Sequence, residues 1–145
     1  MKNKTSTKNI LIISVKPRFA DLILTGEKTY ELRRIKPNIK KNDRILLYVT
    51  APRKELIATL SIENVYEEKI YPLYKLVKGK CGLNKTEFMT YFRDKDKGYA
   101  IKIKKVFRLS NPINWEELQR IDFHPPQLYQ YAKEDLLNLV KCRIS

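Results

Sequence analysis

The sequence predicts an α+β fold: a small, partly open β-barrel of five or six strands with short peripheral helices. Three observations carry that expectation. Apolar runs of strand length recur along the chain, one of them continuous and others alternating with period two. The segments between them hold helix-start and helix-stop residues but are short. At 145 residues the chain supports one hydrophobic core and is too short for two comfortable domains.

Met1 to Asn9, "MKNKTSTKN", is polar and basic and is expected to be a flexible tail, leaving residues 10–145 as a single domain. "ILIISV" is a β-branched run that reads as a strand buried on both faces. Lys16 and Pro17 end it, and a proline at a first helical position suits a short helix over "RFADLILT", with Phe19, Leu22 and Ile23 on one face. Gly26 closes that helix. From Lys28 the period becomes two. Tyr30 and Leu32 point one way and Thr29, Glu31 and Arg33 the other, which predicts a half-buried strand.

"KPNIKKNDR" reads as a turn before the apolar run "ILLYV". In "LIATLSIENVY" the residues Leu56, Ala58, Leu60 and Ile62 form an inward face. "IYPLYKLVKG" is expected as a short helix or irregular link. "NKTEFMTYF" carries the outline of a capping box, Asn84 followed three positions on by Glu87, with Phe88, Tyr91 and Phe92 as the apolar stripe. "YAIKIKKVF" alternates again, with Tyr99, Ile101 and Ile103 opposite Ala100, Lys102 and Lys104. "NPINWEEL" starts a helical turn, Trp115 stapling it to the core. "FHPPQLYQY" is extended because each proline disfavours helix before it, and "KEDLLNLV" is an amphipathic helix.

Lys and Arg total 30 against 16 Asp and Glu, a formal charge of +14. An excess of this size makes nucleic acid the first partner to consider, while a basic surface that merely keeps the protein soluble is the plainer alternative. Two cysteines far apart and one histidine exclude zinc-finger spacing, a paired redox motif and any mechanism needing two histidines. No metal or cofactor is expected. The apolar runs are far shorter than the roughly 20 residues of a membrane span, so no membrane partner is expected, and free thiols point to the cytoplasm. The oligomeric state is open.

The densest chemistry lies in "GEKTYELRR", Gly26 to Arg34. Glu31 and Arg33 are two apart on a strand, about 6.5 to 7 Å by strand rise, and share a face. A ligand bridging them would meet an acceptor and a forked donor together, as a nucleobase edge with a phosphate or carbonyl oxygen would require. A same-face ion pair is the equal alternative. Lys16 and Lys28 flank the first helix, whose N-terminal N–H groups favour anions. Arg34, Lys36, Lys40, Lys41 and Arg44 extend the charge beyond the motif, as contacts to a nucleic-acid backbone or as a solvated turn. Lys102 and Lys104 form a second basic row. Tyr48, Tyr99 and Tyr129 are aromatic candidates for base stacking, Tyr129 being favoured because Gln127 beside it adds an amide fork. His124, before two prolines, reads as structural.

The stretch "SVKPRFADLILTGEKTYELRR" resembles the ASCH (ASC-1 homology) family of the PUA-like superfamily of small β-barrels. The family signature G-x-K-x-x-E-x-R falls on Gly26, Lys28, Glu31 and Arg33, and "SVKP", "GYAIKI" and "PPQLYQY" extend the likeness from Ile10 to about Tyr131. The resemblance implies a barrel whose cleft accepts a nucleotide or modified base. It thereby nominates Lys28, Glu31 and Arg33, and with the residues read above the candidate ligand-binding set is Lys16, Lys28, Glu31, Arg33, Arg34, Tyr99, Gln127 and Tyr129, with RNA or a nucleotide as partner and DNA also open. One branch comprises amidohydrolases of N4-acetylcytidine that use a lysine, a threonine and a glutamate. Lys28 matches the lysine, but Glu31 replaces the threonine and "VKGKCGL" has no acid where the glutamate falls. Other ASCH proteins look like ribonucleases. Catalysis is therefore left unassigned, with Lys28 and Glu31 as candidates. A binding module for RNA or modified nucleotides comes first, a small hydrolase second, and an interaction domain for an acidic protein partner third.

Overall fold

The computed structural model describes residues 10–127 and 129–144. The tail expected over residues 1–9 lies outside the described residues. In chain order the elements are β1 (Leu11–Val15), α1 (Pro17–Thr25), β2 (Tyr30–Arg33), β3 (Arg44–Val49), β4 (Glu55–Lys69), α2 (Ile70–Val77), α3 (Lys85–Tyr91), β5 (Lys97–Ile113), α4 (Trp115–Arg120), β6 (Gln130–Tyr131) and α5 (Glu134–Lys141). The strands form one sheet in the order β2-β5-β4-β3-β1-β6. It is a curled half-barrel, mixed because β1 runs parallel to β3 while the other neighbours are antiparallel.

Each element follows from its residues. Pro17 opens α1, and Gly26 closes it at φ 87°, where a residue with a Cβ would be strained. The capping boxes are reciprocal: Asn84 accepts from the Glu87 N–H while the Glu87 carboxylate accepts from the Asn84 N–H, and Asn114 and Glu117 repeat the arrangement at α4. The hairpin β4–β5 is the longest pairing. Register shifts at Ser61/Ile62 and Ile62/Asn64 mark bulges that bend both strands, as curling a sheet requires.

Alternation divides the core in three. The concave face carries Ile13, Leu47, Leu60, Ile62 and Ile101, packed under Ala20 and Ile23 of α1. The convex face is covered at one end by α4, α5 and Phe123 over Ile12, Leu46, Tyr48 and Leu109, and at the other by α2 and α3 over Tyr30, Leu32 and Ala100. Ile39 reaches out of the polar loop after β2 into the concave core.

Three expectations need correcting. β2 is not half-buried: Glu31 is 7% exposed, because the face opposite Tyr30 and Leu32 is roofed by the site described below. β5 continues to Ile113, pairing with Leu56, so the helical turn begins only at Trp115. Tyr48 is 2% exposed and packs on Phe123, ring centroids 5.4 Å apart, so it is core and has no face to offer a base.

Gly98 of β5 lies against Phe92, and a Cβ there would overlap the Phe92 ring. Since Phe92 is fully enclosed, Gly98→Ala is expected to lower stability by about 1–3 kcal/mol through overpacking, read as a lower urea midpoint with an unchanged slope.

Candidate functional site

The site forms along the seam where the curled sheet does not close. Its edge strands are β2 on one side and β6, hydrogen-bonded to β1, on the other. The loop after β2 reaches across that seam, Asn38 donating to the Tyr131 hydroxyl. The Ser14 hydroxyl donates to the Pro126 carbonyl at 2.8 Å, which fixes the extended diproline segment beside the end of β1.

Below the seam the chain is set by local hydrogen bonds. After Gly26, the Lys28 N–H returns to the Leu22 carbonyl, and the Thr29 and Tyr30 N–H groups both donate to the Lys80 carbonyl. The loop Lys80–Gly82 is thus sewn to the start of β2. Gly82 has φ 82°, and a Cβ there would sit 3.2 to 3.4 Å from Phe19, Leu22 and Lys28. Only glycine combines that backbone with so close an approach to α1.

Lys28 is buried, 4% exposed. Its ammonium donates to the Tyr30 and Cys81 carbonyls, each at 2.7 Å, and lies 3.3 Å from Glu31 Oε1. The other Glu31 oxygen, Oε2, accepts from Arg33 Nη2 at 2.6 Å. Lys28, Glu31 and Arg33 therefore form a continuous ionic chain whose three side chains are nearly all enclosed. The two readings of the spacing converge: Glu31 and Arg33 are an ion pair, and the pair lines a cleft. One carboxylate between two cations leaves one net positive charge at the floor.

The cleft has a volume of about 830 Å³. It is lined by seven of the eight nominated residues: Lys16, Lys28, Glu31, Arg33, Arg34, Gln127 and Tyr129. Tyr99 is the exception. It pairs with Arg33 across the β2–β5 ladder but is 8% exposed and does not reach the cleft. Lys16 caps α1 with its side chain exposed, whereas Lys28 turns to the carbonyls of Tyr30 and Cys81. His124 is exposed beside Asp122, outside the cleft.

The opposite wall was not foreseen. Thr86, Thr90 and Tyr91 of α3, with Leu83 and Arg18, complete it. The capping box located α3, but nothing local told which side would face a ligand. Burial of Phe88 in the convex core turns Thr86 and Thr90, four apart, to the other side. Arg18 joins α1 to this wall through the Gly82 carbonyl and both Glu87 oxygens, at 3.0 to 3.2 Å. The Tyr91 hydroxyl donates to the Leu32 carbonyl, and burial pushes its pKa up, so it stands as a neutral donor. The Glu87 carboxyl is held below its usual range, chiefly by the Asn84 N–H and then by Arg18. Among the described residues, six of the lining side chains are cationic and two anionic. The cleft therefore favours an anionic ligand with an apolar or aromatic body.

The sequence and fold are similar to those of known proteins. The ASCH domain is matched over residues 13–127. The chain is 31% identical over 132 residues to an ASCH domain-containing ribonuclease of Zymomonas mobilis, covering 89% of this chain and 88% of that protein. A crystal structure of ASCH from Zymomonas mobilis superposes with a TM-score of 0.86 at 27% identity, covering 94% and 96% of the two chains. The chain is also 27% identical over 133 residues to large ribosomal subunit protein uL22 of Ureaplasma parvum, of which it spans 42%.

Two outcomes follow from the ionic chain and the clamp above it. Glu31→Gln leaves two enclosed cations without their counter-charge and is expected to lower stability by about 3 kcal/mol, whereas Glu27→Gln, on an exposed turn, shifts it by less than about 0.5 kcal/mol. Urea unfolding of the two variants checks this. Glu87 has a depressed folded pKa, so its contribution is present above the unfolded value near 4.5 and fades as pH falls through the folded one. Glu87→Gln should accordingly be less stable than the parent at neutral pH, the difference narrowing below about pH 4.5 in unfolding curves taken across that range.

Proposed function

This chain belongs to the ASCH domain family, and we propose that its cleft binds a nucleotide unit of RNA, free or within a strand. The observation that carries this reading is the enclosed Lys28–Glu31–Arg33 chain at the floor of an 830 Å³ cleft, a size that suits a small-molecule or nucleotide guest. The floor offers a fixed carboxylate acceptor and an oriented guanidinium. Gln127 adds an amide that both donates and accepts, and Tyr129 an aromatic plane. Lys16, Arg18, Arg34 and Lys95 stand around the cleft, where phosphate oxygens would meet them.

Ribonuclease activity is the second reading, favoured by the name of the Zymomonas mobilis relative. The cations around the cleft would then stabilise charge developing on a phosphate. Lys28 serves poorly as a mobile base, since its ammonium is already engaged by two carbonyls and Glu31. It acts as a fixed charge and as the pin that positions Glu31. The amidohydrolase reading has less support. Glu31 stands where that branch has threonine, and the segment around Cys81 supplies no acid to the cleft. Two unlinked cysteines, Cys81 buried and Cys142 exposed, support a cytoplasmic setting.

Labelled RNA, single-stranded DNA and nucleoside monophosphates, titrated by fluorescence anisotropy and calorimetry, test the proposal. Tyr129→Ala is expected to weaken nucleotide binding about tenfold, within the range of base–aromatic stacking, with some loss of Tm because the half-exposed ring also packs on the concave core. RNA products on a gel, lost in Arg33→Ala, would favour the ribonuclease. Absence of binding to every nucleic acid at physiological salt would defeat both readings and leave an interaction domain for an acidic protein.

A further inference from the structure

A second basic surface lies on the opposite side of the sheet. Helices cover the convex face at its two ends only, and between them a band of β3, β4 and β5 is open. Register places Arg44 beside Ser61 and Ser61 beside Lys105, with Thr59 beside Phe107 in the next row. These residues share the face of Leu46 and Leu109. Glu31 and Arg33 share the face of Ile101, so the band and the cleft lie on opposite sides.

Phe107 is 38% exposed, a large aromatic in the middle of an otherwise polar band. Arg44 is fixed against it. Its guanidinium sits 4.5 Å from the Phe107 ring centroid while Nη1 donates to the Thr59 hydroxyl. Two anchors orient the group, and one hydrogen bond uses only one of the five N–H donors a guanidinium carries. The bulge in β5 adds a further feature. Ser61 pairs with Lys105 and Ile62 with Ile103, so Lys104 is the extra residue and consecutive lysines are both exposed; a bulge re-aims a side chain in this way.

Among the described residues, Arg44, Lys104 and Lys105 have no carboxylate partner, a condition they share with many surface cations, Lys75 and Lys78 included; what the band adds is an exposed aromatic ring with one of its cations fixed against it. Of the acids on the flanking segments of β3 and β4, Asp43 accepts from the Lys40 N–H and Glu63 pairs with Lys102. An oriented guanidinium, two uncompensated ammonium groups and an aromatic on the outer face of a curled sheet complement a flexible polyanion that carries rings. From this juxtaposition we propose that the convex band of Arg44, Lys104, Lys105 and Phe107 is a second contact surface for single-stranded nucleic acid. It holds phosphates and one stacked base independently of the cleft.

The test uses the full chain and a labelled 20-nucleotide uridine homopolymer, titrated by anisotropy from 50 to 200 mM salt, beside uridine monophosphate titrated by calorimetry. Lys104→Glu/Lys105→Glu is expected to weaken homopolymer binding at least tenfold more than Lys75→Glu/Lys78→Glu, an equal charge change on exposed positions of α2 and its end. Loss of two phosphate contacts should reduce the salt slope by about 1.4. Phe107→Ala should weaken homopolymer binding roughly tenfold. Monophosphate binding should be unchanged in all of these. Arg44→Gln, which keeps a donor toward Thr59, provides a check should the charge reversal misfold. Equal losses in the two reversal variants, an unaltered salt slope, no homopolymer binding by the parent, or full competition by a polyglutamate peptide would each overturn the proposal. Monophosphate binding lost only in Tyr129→Ala, with these variants behaving as the parent, would overturn it while leaving the cleft reading standing.

Discussion

An enclosed ammonium cannot stand alone, and the site is built around that requirement. Lys28 is compensated by two carbonyls and a carboxylate, and each of these fixes a different part of the chain. The Tyr30 carbonyl sets the start of β2, the Cys81 carbonyl holds the loop between α2 and α3, and Glu31 carries the charge on to Arg33. Desolvating such groups is favourable only when their hydrogen bonds are geometrically satisfied. The four-residue strand β2 therefore takes its position as much from the ionic chain as from its ladder with β5.

That constraint also accounts for the location of the cleft. A six-stranded sheet with pronounced bulges curls toward closure, and its terminal strands are short, four residues for β2 and two for β6. Short edge strands resist pairing with other chains. Here they also leave a gap that side chains bridge in place of a ladder: Asn38 reaches Tyr131, and Ser14 holds Pro126. The polar floor remains accessible from this gap although it is nearly buried, which is the combination of desolvation and access that ligand recognition needs.

Much of this was legible in the sequence because the signals were local. Gly26, Pro17 and the Asn84–Glu87 box acted where they stood, and the period-two runs gave β4 and β5 their buried faces. The signature residues Lys28, Glu31 and Arg33 came together as their spacing allowed. What stayed hidden was set by distant contacts. Burial of both faces of β2 depends on α3, some 55 residues on. Ile39 sits in the segment that reads as a turn, yet it anchors the loop to the concave core. Tyr48, Tyr99 and Tyr129 were alike in being tyrosines of extended segments. Only the curl of the sheet and the packing of Phe123 separate the two buried rings from the one that faces the cleft. β5 ran past Pro112 because Ile113 pairs with Leu56, a partner that no window around the proline contains.

The large positive charge is not one feature but two populations. Some cations are spent on structure: Lys28 and Arg33 with Glu31, Arg18 with Glu87, Arg53 with Asp21 and Glu55, and Arg143 with Glu117. Each ties elements that are not adjacent in sequence or holds a strand edge in place. Others are left without counter-charge on the surface, where the long-range field they create attracts polyanions and is weakened by salt. Within the first population, Lys28, Glu31 and Arg33 give the cleft floor a fixed acceptor and donor. The second draws a polyanion to the molecule with little discrimination. A basic domain that keeps these two tasks on different side chains can be tuned in affinity through its surface without disturbing the geometry of its floor, since the exposed lysines contribute nothing to the ionic chain beneath the cleft.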